Sequence, residues 1–302
     1  MSLAVASFPE ELLESILFDA VVGPSYPHAR TPWHRDHHSH GAHTTPTRTR
    51  LAPLLVCRAF HRIGLPLFYD TLVLHTPSQS ANCLRALRAQ PHLARAVRTL
   101  VLPAPSSADA QVLALLRCGL RALDITLPSS TPDGLPEALR QLRGLHSISI
   151  RKSSGTYLST PHARVVLGAI SEAVAASPAL TSASTSFPLS SDPALVPLVA
   201  ALASAPRLTS LLTPVPTFWG PALPTIAANP ALTRISLGDE PQGHHRRPVL
   251  GTSLFLAEAR KHPRLADLIR AGTAVVGWRG RAWTMPSGPP ALSDQQQQEG
   301  RC

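Results

Sequence analysis

One apolar phrase recurs along most of this chain, and it restricts the possible folds more than any other feature. Val97-Leu100-Leu102 is the first instance of a relaxed L-x-x-L-x-L pattern. Leu120-Leu123-Ile125 and Leu145-Ile148-Ile150 follow, then a degraded copy from Leu180 to Phe187. Leu208-Leu211 is partial, Leu232-Ile235-Leu237 is complete, and Leu265-Leu268 is read as a terminal copy. The starts at 97, 120, 145, 180, 208, 232 and 265 are spaced by 23, 25, 35, 28, 24 and 33 residues. The phrases SPALTS, APRLTS, NPALTR and HPRLAD share an x-Pro-x-Leu frame, each preceded by an expected helix at 161–176, 193–204, 221–228 or 252–261. Thr160-Pro161 and Asp192-Pro193 read as helix starts, with proline at the first position, where its missing N–H is harmless.

One helix and one strand cannot bury their apolar faces alone. Stacked copies make a continuous core, with the strands lining one face. Strand side chains alternate, so the leucines point inward and the residues between them point outward. The spacing resembles leucine-rich repeats of about 20–29 residues, with two longer insertions. The Asn usual just after the strand is missing, so an irregular stack is expected. Composition agrees: 31 of 302 residues are proline, and a proline inside a helix costs roughly 3 kcal/mol. Short elements with proline stops are therefore favoured over long coiled coils or large flat sheets. The fold class expected is an α+β or α/β solenoid: N-terminal helices, then an irregular stack of short helices and parallel strands.

The formal charge is +10, and 26 of the 28 basic residues are arginine. No run of four basic residues occurs. Residues 1–22 are net −4, from Glu10, Glu11, Glu14 and Asp19, while 51–100 hold six arginines against Asp70. Nucleic-acid binding through Arg85, Arg88, Arg95 and Arg98 is thus a minor reading, since a nucleic-acid site needs concentrated charge. Three glutamates interrupt the first apolar stretch and no basic segment precedes it, unlike a secretory signal. No apolar run is long enough for a membrane span. Cys57, Cys83, Cys118 and Cys302 lie far apart without a CxxC pair, so neither a disulfide framework nor a zinc site is expected. A cytoplasmic or nuclear location follows.

Residues 7–22 read as an amphipathic helix with Ser7 as N-cap and Pro9 in the first turn. Residues 23–50, with four prolines and six histidines, read as a disordered insertion. A second helix is expected from Leu54 through Phe60 and Ile63 to Gly64, then a strand led by Phe68, Tyr69, Leu72 and Leu74. A third helix at 78–90 stops at Pro91. Residues 272–285 suggest a hairpin or capping strand with Trp278 and Trp283 over the last repeat. The 286–302 tail reads as disordered.

Chemistry-bearing clusters are weak. Cys57 and His61 are spaced i, i+4, but cysteine in an apolar run is most often a small buried hydrophobe. His34 to His43 lack an ordered ligand cage. Asp239, Glu240, His244 and His245 share one loop and read as a solvated connection. No Walker loop, GxGxxG, GxSxG or HExxH is present, so no enzymatic activity, metal or cofactor is expected.

The N-terminal segments carry a sharper signal. FPEELLESIL, with Phe8, Pro9, Glu11, Leu12, Leu13, Ile16 and Leu17, is followed by LLVCRAFHRIGLPLFYDTLVL. Val56, Cys57, Arg58 and Phe60 fit an L-x-x-V-C-[RK]-x-[WF] phrase; Pro66, Leu67, Tyr69, Leu72 and Leu74 fit the continuation. Together they resemble the F-box, particularly the divergent F-box-like form common in basidiomycete fungi, over about 55 residues outside the 28-residue insertion. The resemblance implies a non-catalytic substrate-recognition subunit of an SCF-type ubiquitin ligase. Phe8, Pro9, Leu12, Leu13, Ile16, Leu17, Leu55, Val56 and Phe60 would dock a Skp-type adaptor and, through it, a cullin. The repeats would hold a protein substrate at Thr99, Val101, Asp124, Thr126, Ser147, Ser149 and Ser236. The domains expected are 1–75 for docking, 76–285 for the repeats and 286–302 for the tail. An adaptor-free scaffold, with the N-terminal helices as a cap, is the alternative.

Overall fold

The computed structural model describes residues 9–21, 51–153, 156–238, 249–251 and 253–275. Ser7, Phe8, the 23–50 stretch, the 239–245 loop, Trp278, Trp283, Cys302 and the 286–302 tail lie outside these residues. Helix α1 is Glu10–Val21; the N–H groups of Leu12 and Leu13 donate to the Pro9 carbonyl at 3.1 and 3.2 Å. Glu10 and Glu11 occupy its first turn, where the helix dipole favours negative charge.

The expected second helix is divided. A 3₁₀ turn, Ala52–Leu55, is followed by extended backbone at Cys57 (φ −159°, ψ 169°), and α2 then runs Arg58–Asp70. Neither Gly64 nor Pro66 ends it. Gly64 faces the Leu54 side chain so closely that a Cβ would overlap it. Helix α2 also has apolar neighbours on two sides: Phe60, Ile63 and Leu67 pack on a small core of Leu17, Val21 and Leu54, while Tyr69 packs on the main core. Leu65 touches both. Burying that surface outweighs the lost proline bond of roughly 3 kcal/mol. The strand expected from Phe68 accordingly begins only at Thr71.

From there helices and strands alternate. Strand β1 (Thr71–Val73) leads to α3 (Pro77–Ala89), α4 (Pro91–Ala96) and β2 (Thr99–Leu102). Helix α5 (Ser107–Leu116), β3 (Ala122–Leu127), α6 (Leu135–Arg140) and β4 (Ser147–Lys152) follow. Then come α7 (Pro161–Ala175), β5 (Ser182–Thr185), α8 (Val196–Ser204), β6 (Ser210–Thr213), α9 (Ala222–Ala227) and β7 (Arg234–Leu237). The seven strands form one open, all-parallel sheet in the order β1 to β7, so each pairs only with its chain neighbours. This is an α/β fold. Thr76, Ser106 and Thr160 cap their helices through side-chain oxygens, and prolines open α3, α4 and α7. The high proline content is thus partly helix-start chemistry. Asp192-Pro193 does not start a helix: the Asp192 carboxylate accepts the Ala194 N–H at 2.9 Å in a turn, and α8 begins three residues after Pro193.

Two rows of side chains cross the helix-facing side in register. Leu72, Leu100, Leu123, Ile148, Ala183, Leu211 and Ile235 form one; Leu102, Ile125, Ile150, Thr185, Thr213 and Leu237 form the other. Their apolar members, with the inward helix faces, belong to one contiguous core. The two threonines are buried and share a network. The Thr185 hydroxyl lies 3.0 Å from that of Thr213, and the two lie 2.9 and 3.3 Å from the Phe187 carbonyl. They satisfy a turn carbonyl from within the strand row.

The recurring Leu-Thr of the first three phrases has its own physical cause. Thr181, Thr209 and Thr233 each donate a hydroxyl hydrogen bond of 2.8–3.0 Å to the carbonyl of the preceding unit, at His146, Thr181 and Thr209 respectively. The same carbonyls accept the N–H groups of the threonine and of the residue after it. The units are thereby fixed to one another at the start of each strand.

The fourth phrase departs from this pattern. Leu265-Leu268 is not a strand copy but part of α11 (Pro263–Gly272), after α10 (Leu254–Ala259). The Ala266 N–H bonds the His262 carbonyl, a helical i+4 bond, and Leu265, Ala266, Leu268 and Ile269 are buried at helical spacing. Helix α11 closes against β7. A Cβ on Gly272 would overlap the Ile235 carbonyl, Ser236 Oγ donates to the Gly272 carbonyl at 3.2 Å, and the Leu237 N–H donates to Thr273 Oγ1 at 2.8 Å. Beyond it, β9 (Ala274–Val275) pairs in parallel with β8 (Val249–Leu250), not as a hairpin. No described helix is long and apolar enough to cross a membrane.

Candidate interaction surfaces

The residues expected to dock an adaptor do not share one exposed face. On α1, Leu13, Leu17 and Val21 turn inward and are buried. Leu12 and Ile16, four residues apart, are exposed at 52% and 56%. Leu55 at the end of the 3₁₀ turn and Val56 just after it are exposed at 82% and 65%, while Leu54 between α1 and α2 is buried. Pro9 is exposed and Phe60 half-buried. The docking set thus divides into structural members, Leu13 and Leu17, and a solvent-facing apolar set of Leu12, Ile16, Leu55 and Val56. A bidentate ion pair of Arg62 with Glu10, both contacts 2.9 Å, ties α2 to α1. That hydrogen bond, more than the accompanying attraction of charges, holds the Glu10 carboxyl below its ordinary range.

On the sheet face away from the helices, the expected substrate-lining residues are close together but less accessible than anticipated. Val101, Asp124, Thr126 and Ser149 are buried; Thr99, Ser147 and Ser236 are half-buried. Short side chains on strands about 4.8 Å apart shield one another. Arg151 crosses this face and clamps Asp124 with contacts of 2.7–3.1 Å. Ser182 donates to Ser147 at 2.9 Å, and Arg234 to Ser210 at 3.1 Å. The Asp124–Arg151 pair was missed in the sequence because it links two strands across 27 residues.

The loops after β5 and β6 enclose a groove of about 310 Å³, lined by Pro188, Asp192, Pro216, Phe218, Trp219 and Gly220 among others. Trp219 stacks on His262 at 4.8 Å and leans on Phe255 at 5.6 Å. Cys57 is the extended N-cap of α2, half-buried, and its carbonyl accepts the His61 N–H. Burial, more than the nearby Asp109 charge, pushes the Cys83 thiol up to about 11. Among the described residues no three His, Cys, Asp or Glu side chains are grouped to hold a metal. No protein-family model matches this chain. No curated protein matches it either.

Proposed function

We propose that this chain is a non-catalytic substrate-recognition subunit of an SCF-type ubiquitin ligase. The observation that carries the reading is an excess of exposed apolar side chains on the F-box-like segments. Among the described residues, Leu12, Ile16, Phe18, Leu51, Leu55 and Val56 are six of the twelve large hydrophobics that stay exposed. They fall within the short stretches 9–21 and 51–56. Exposed apolar side chains concentrated in this way mark interaction sites. The ordered α/β units behind them are read as a leucine-rich-repeat-like stack, supported by the repeat spacing and the sequential strand order. That body would present a protein substrate on the strand face or its rims.

Co-purification with a Skp-type adaptor tests the proposal. Wild-type chain should retain the adaptor, and the Leu12→Asp, Leu55→Asp double variant should lose it while melting normally, because both side chains are already solvent-exposed. No retention by wild type, or unchanged retention by the variant, overturns it. A second reading is supported by α2, whose Leu65 packs against both the small and the main core. On that reading the N-terminal helices cap an adaptor-free scaffold, and deleting 1–75 would destabilise the sheet rather than cut adaptor binding.

A further inference from the structure

Because all seven strands are parallel, every helix-to-strand connection lies at one end of the sheet and every strand-to-helix connection at the other. This sorts the charges of the connections, although Asp70 stands directly before β1 and Lys152 ends β4. The connections entering β2 to β7 carry Arg98, Arg117, Arg121, Arg143 and Arg207, with His146, and no Asp or Glu. The connections leaving β1 to β6 carry Asp133 and Asp192 and no Arg or Lys. Backbone bonds seat three of these residues, Arg98, Arg121 and His146, side by side, and Arg207 stands three strands beyond Arg121 on the same edge. The Arg98 carbonyl accepts the Arg121 N–H at 2.8 Å, and the Arg121 carbonyl accepts the His146 N–H at 2.7 Å. From one to the next, these three are roughly 4.8 Å apart at the backbone.

Helix C-termini lie at this end, and their negative dipole ends attract cations. That accounts for some of the row: Arg98 donates to the Gly119 carbonyl at 3.1 Å, and Arg143 to the carbonyls of Arg140 and Leu142. Arg117 donates to the Gln141 side-chain oxygen at 3.5 Å, which leaves Arg121, Arg207 and, in the last turn of α4, Arg95. These three are exposed, with neither a hydrogen bond from the guanidinium nor a carboxylate partner among the described residues.

We propose that this edge binds an extended acidic polypeptide segment, rich in Asp and Glu. A guanidinium fork matches a carboxylate in paired hydrogen bonds, and a row of arginines offers several such forks. The helix-to-strand connections contain no Phe, Tyr or Trp, so the stacking platforms that single-stranded nucleic acids use are missing. The site shares no residue with the Leu12 and Leu55 surface, and the proposal does not depend on adaptor binding.

Fluorescence anisotropy of a labelled oligoglutamate at low salt tests this with the full chain. Three variants are compared with wild type: Arg95→Glu/Arg121→Glu/Arg207→Glu on the edge, the neutral Gln version of the same three, and Arg58→Glu/Arg85→Glu/Arg164→Glu elsewhere. The edge reversal should weaken binding roughly tenfold or more, and the Gln version less, in the same direction. The control, which alters net charge equally, should bind near wild type. The Leu12→Asp, Leu55→Asp variant should also bind normally, so failure of the adaptor reading is distinguishable. The proposal is overturned if wild type does not bind, if edge and control reversals weaken binding equally, or if oligothymidylate or anionic vesicles bind more tightly through the same arginines.

Discussion

Thr185 and Thr213 occupy positions where the neighbouring strands carry Ile150 and Leu237, so their hydroxyls should be dispensable unless the Phe187 carbonyl needs them. The two hydroxyls are the donors that reach this carbonyl in the described structure, at 2.9 and 3.3 Å, and they also meet each other at 3.0 Å. Two protons make two hydrogen bonds at a time. Thr185→Val leaves Thr213 on the carbonyl, and Thr213→Val leaves Thr185 there. Each single variant therefore loses one bond and should cost about 1 kcal/mol. The double variant loses both and strands a buried acceptor, a further penalty of about 1–3 kcal/mol. Its total should be about 3–5 kcal/mol, more than the sum of the singles. Urea denaturation monitored by circular dichroism, with an unchanged m-value, gives all four corners of the cycle. Agreement of the double with the sum, within the ~0.5 kcal/mol typical of independent sites, would refute the reasoning.

Two glycines give opposite signs for one chemical change. Gly168→Ala in α7, where an added Cβ meets nothing within 4 Å, should stabilise by about 0.5–1 kcal/mol. Gly272→Ala should destabilise strongly despite the better helix propensity, because the Cβ overlaps the Ile235 carbonyl; matched melting curves decide, and a stabilised Gly272→Ala would contradict the packing. Iodoacetamide should modify exposed Cys118 well before Cys83 at pH 8, by peptide mapping. Cys83 is half-buried and its thiol is pushed up to about 11. Since only the thiolate reacts, its rate should keep rising with pH toward that value.

Much of the fold is legible in the chain because each unit announces itself locally. A helix-ending residue, a proline and a leucine precede every strand from β5 to β7, and six of the seven phrase starts lead into a strand two residues later. The HPRLAD phrase misleads because its first four residues match the others while its continuation, Asp267 to Ile269, lacks the alternation that makes a strand. Gly64 and Pro66 mislead in the opposite sense: local propensity says stop, but α2 is held by contacts on two sides that a one-dimensional reading cannot weigh. The proposed docking residues are legible in the sequence by type but not by orientation. Leu12 and Leu13 are adjacent letters, and only the packing of α1 against Leu54 sends one outward and the other inward. The basic edge was invisible for a related reason. Charge counted along the chain is diluted by intervening helices, whereas the parallel topology brings every connection of one kind to one end.

The contact of α11 with β7 also has a colloidal consequence. An open parallel sheet ends in a strand whose free N–H and C=O groups can recruit another chain. Here the outermost Leu237 N–H is taken by the Thr273 hydroxyl, and the close approach at Gly272 leaves no room beside Ile235 for a foreign strand. Helix α11 therefore serves as a gatekeeper against edge-to-edge aggregation. A chain truncated after His262 would keep all seven strands and lose that protection, turning a terminated sheet into a template for its own extension.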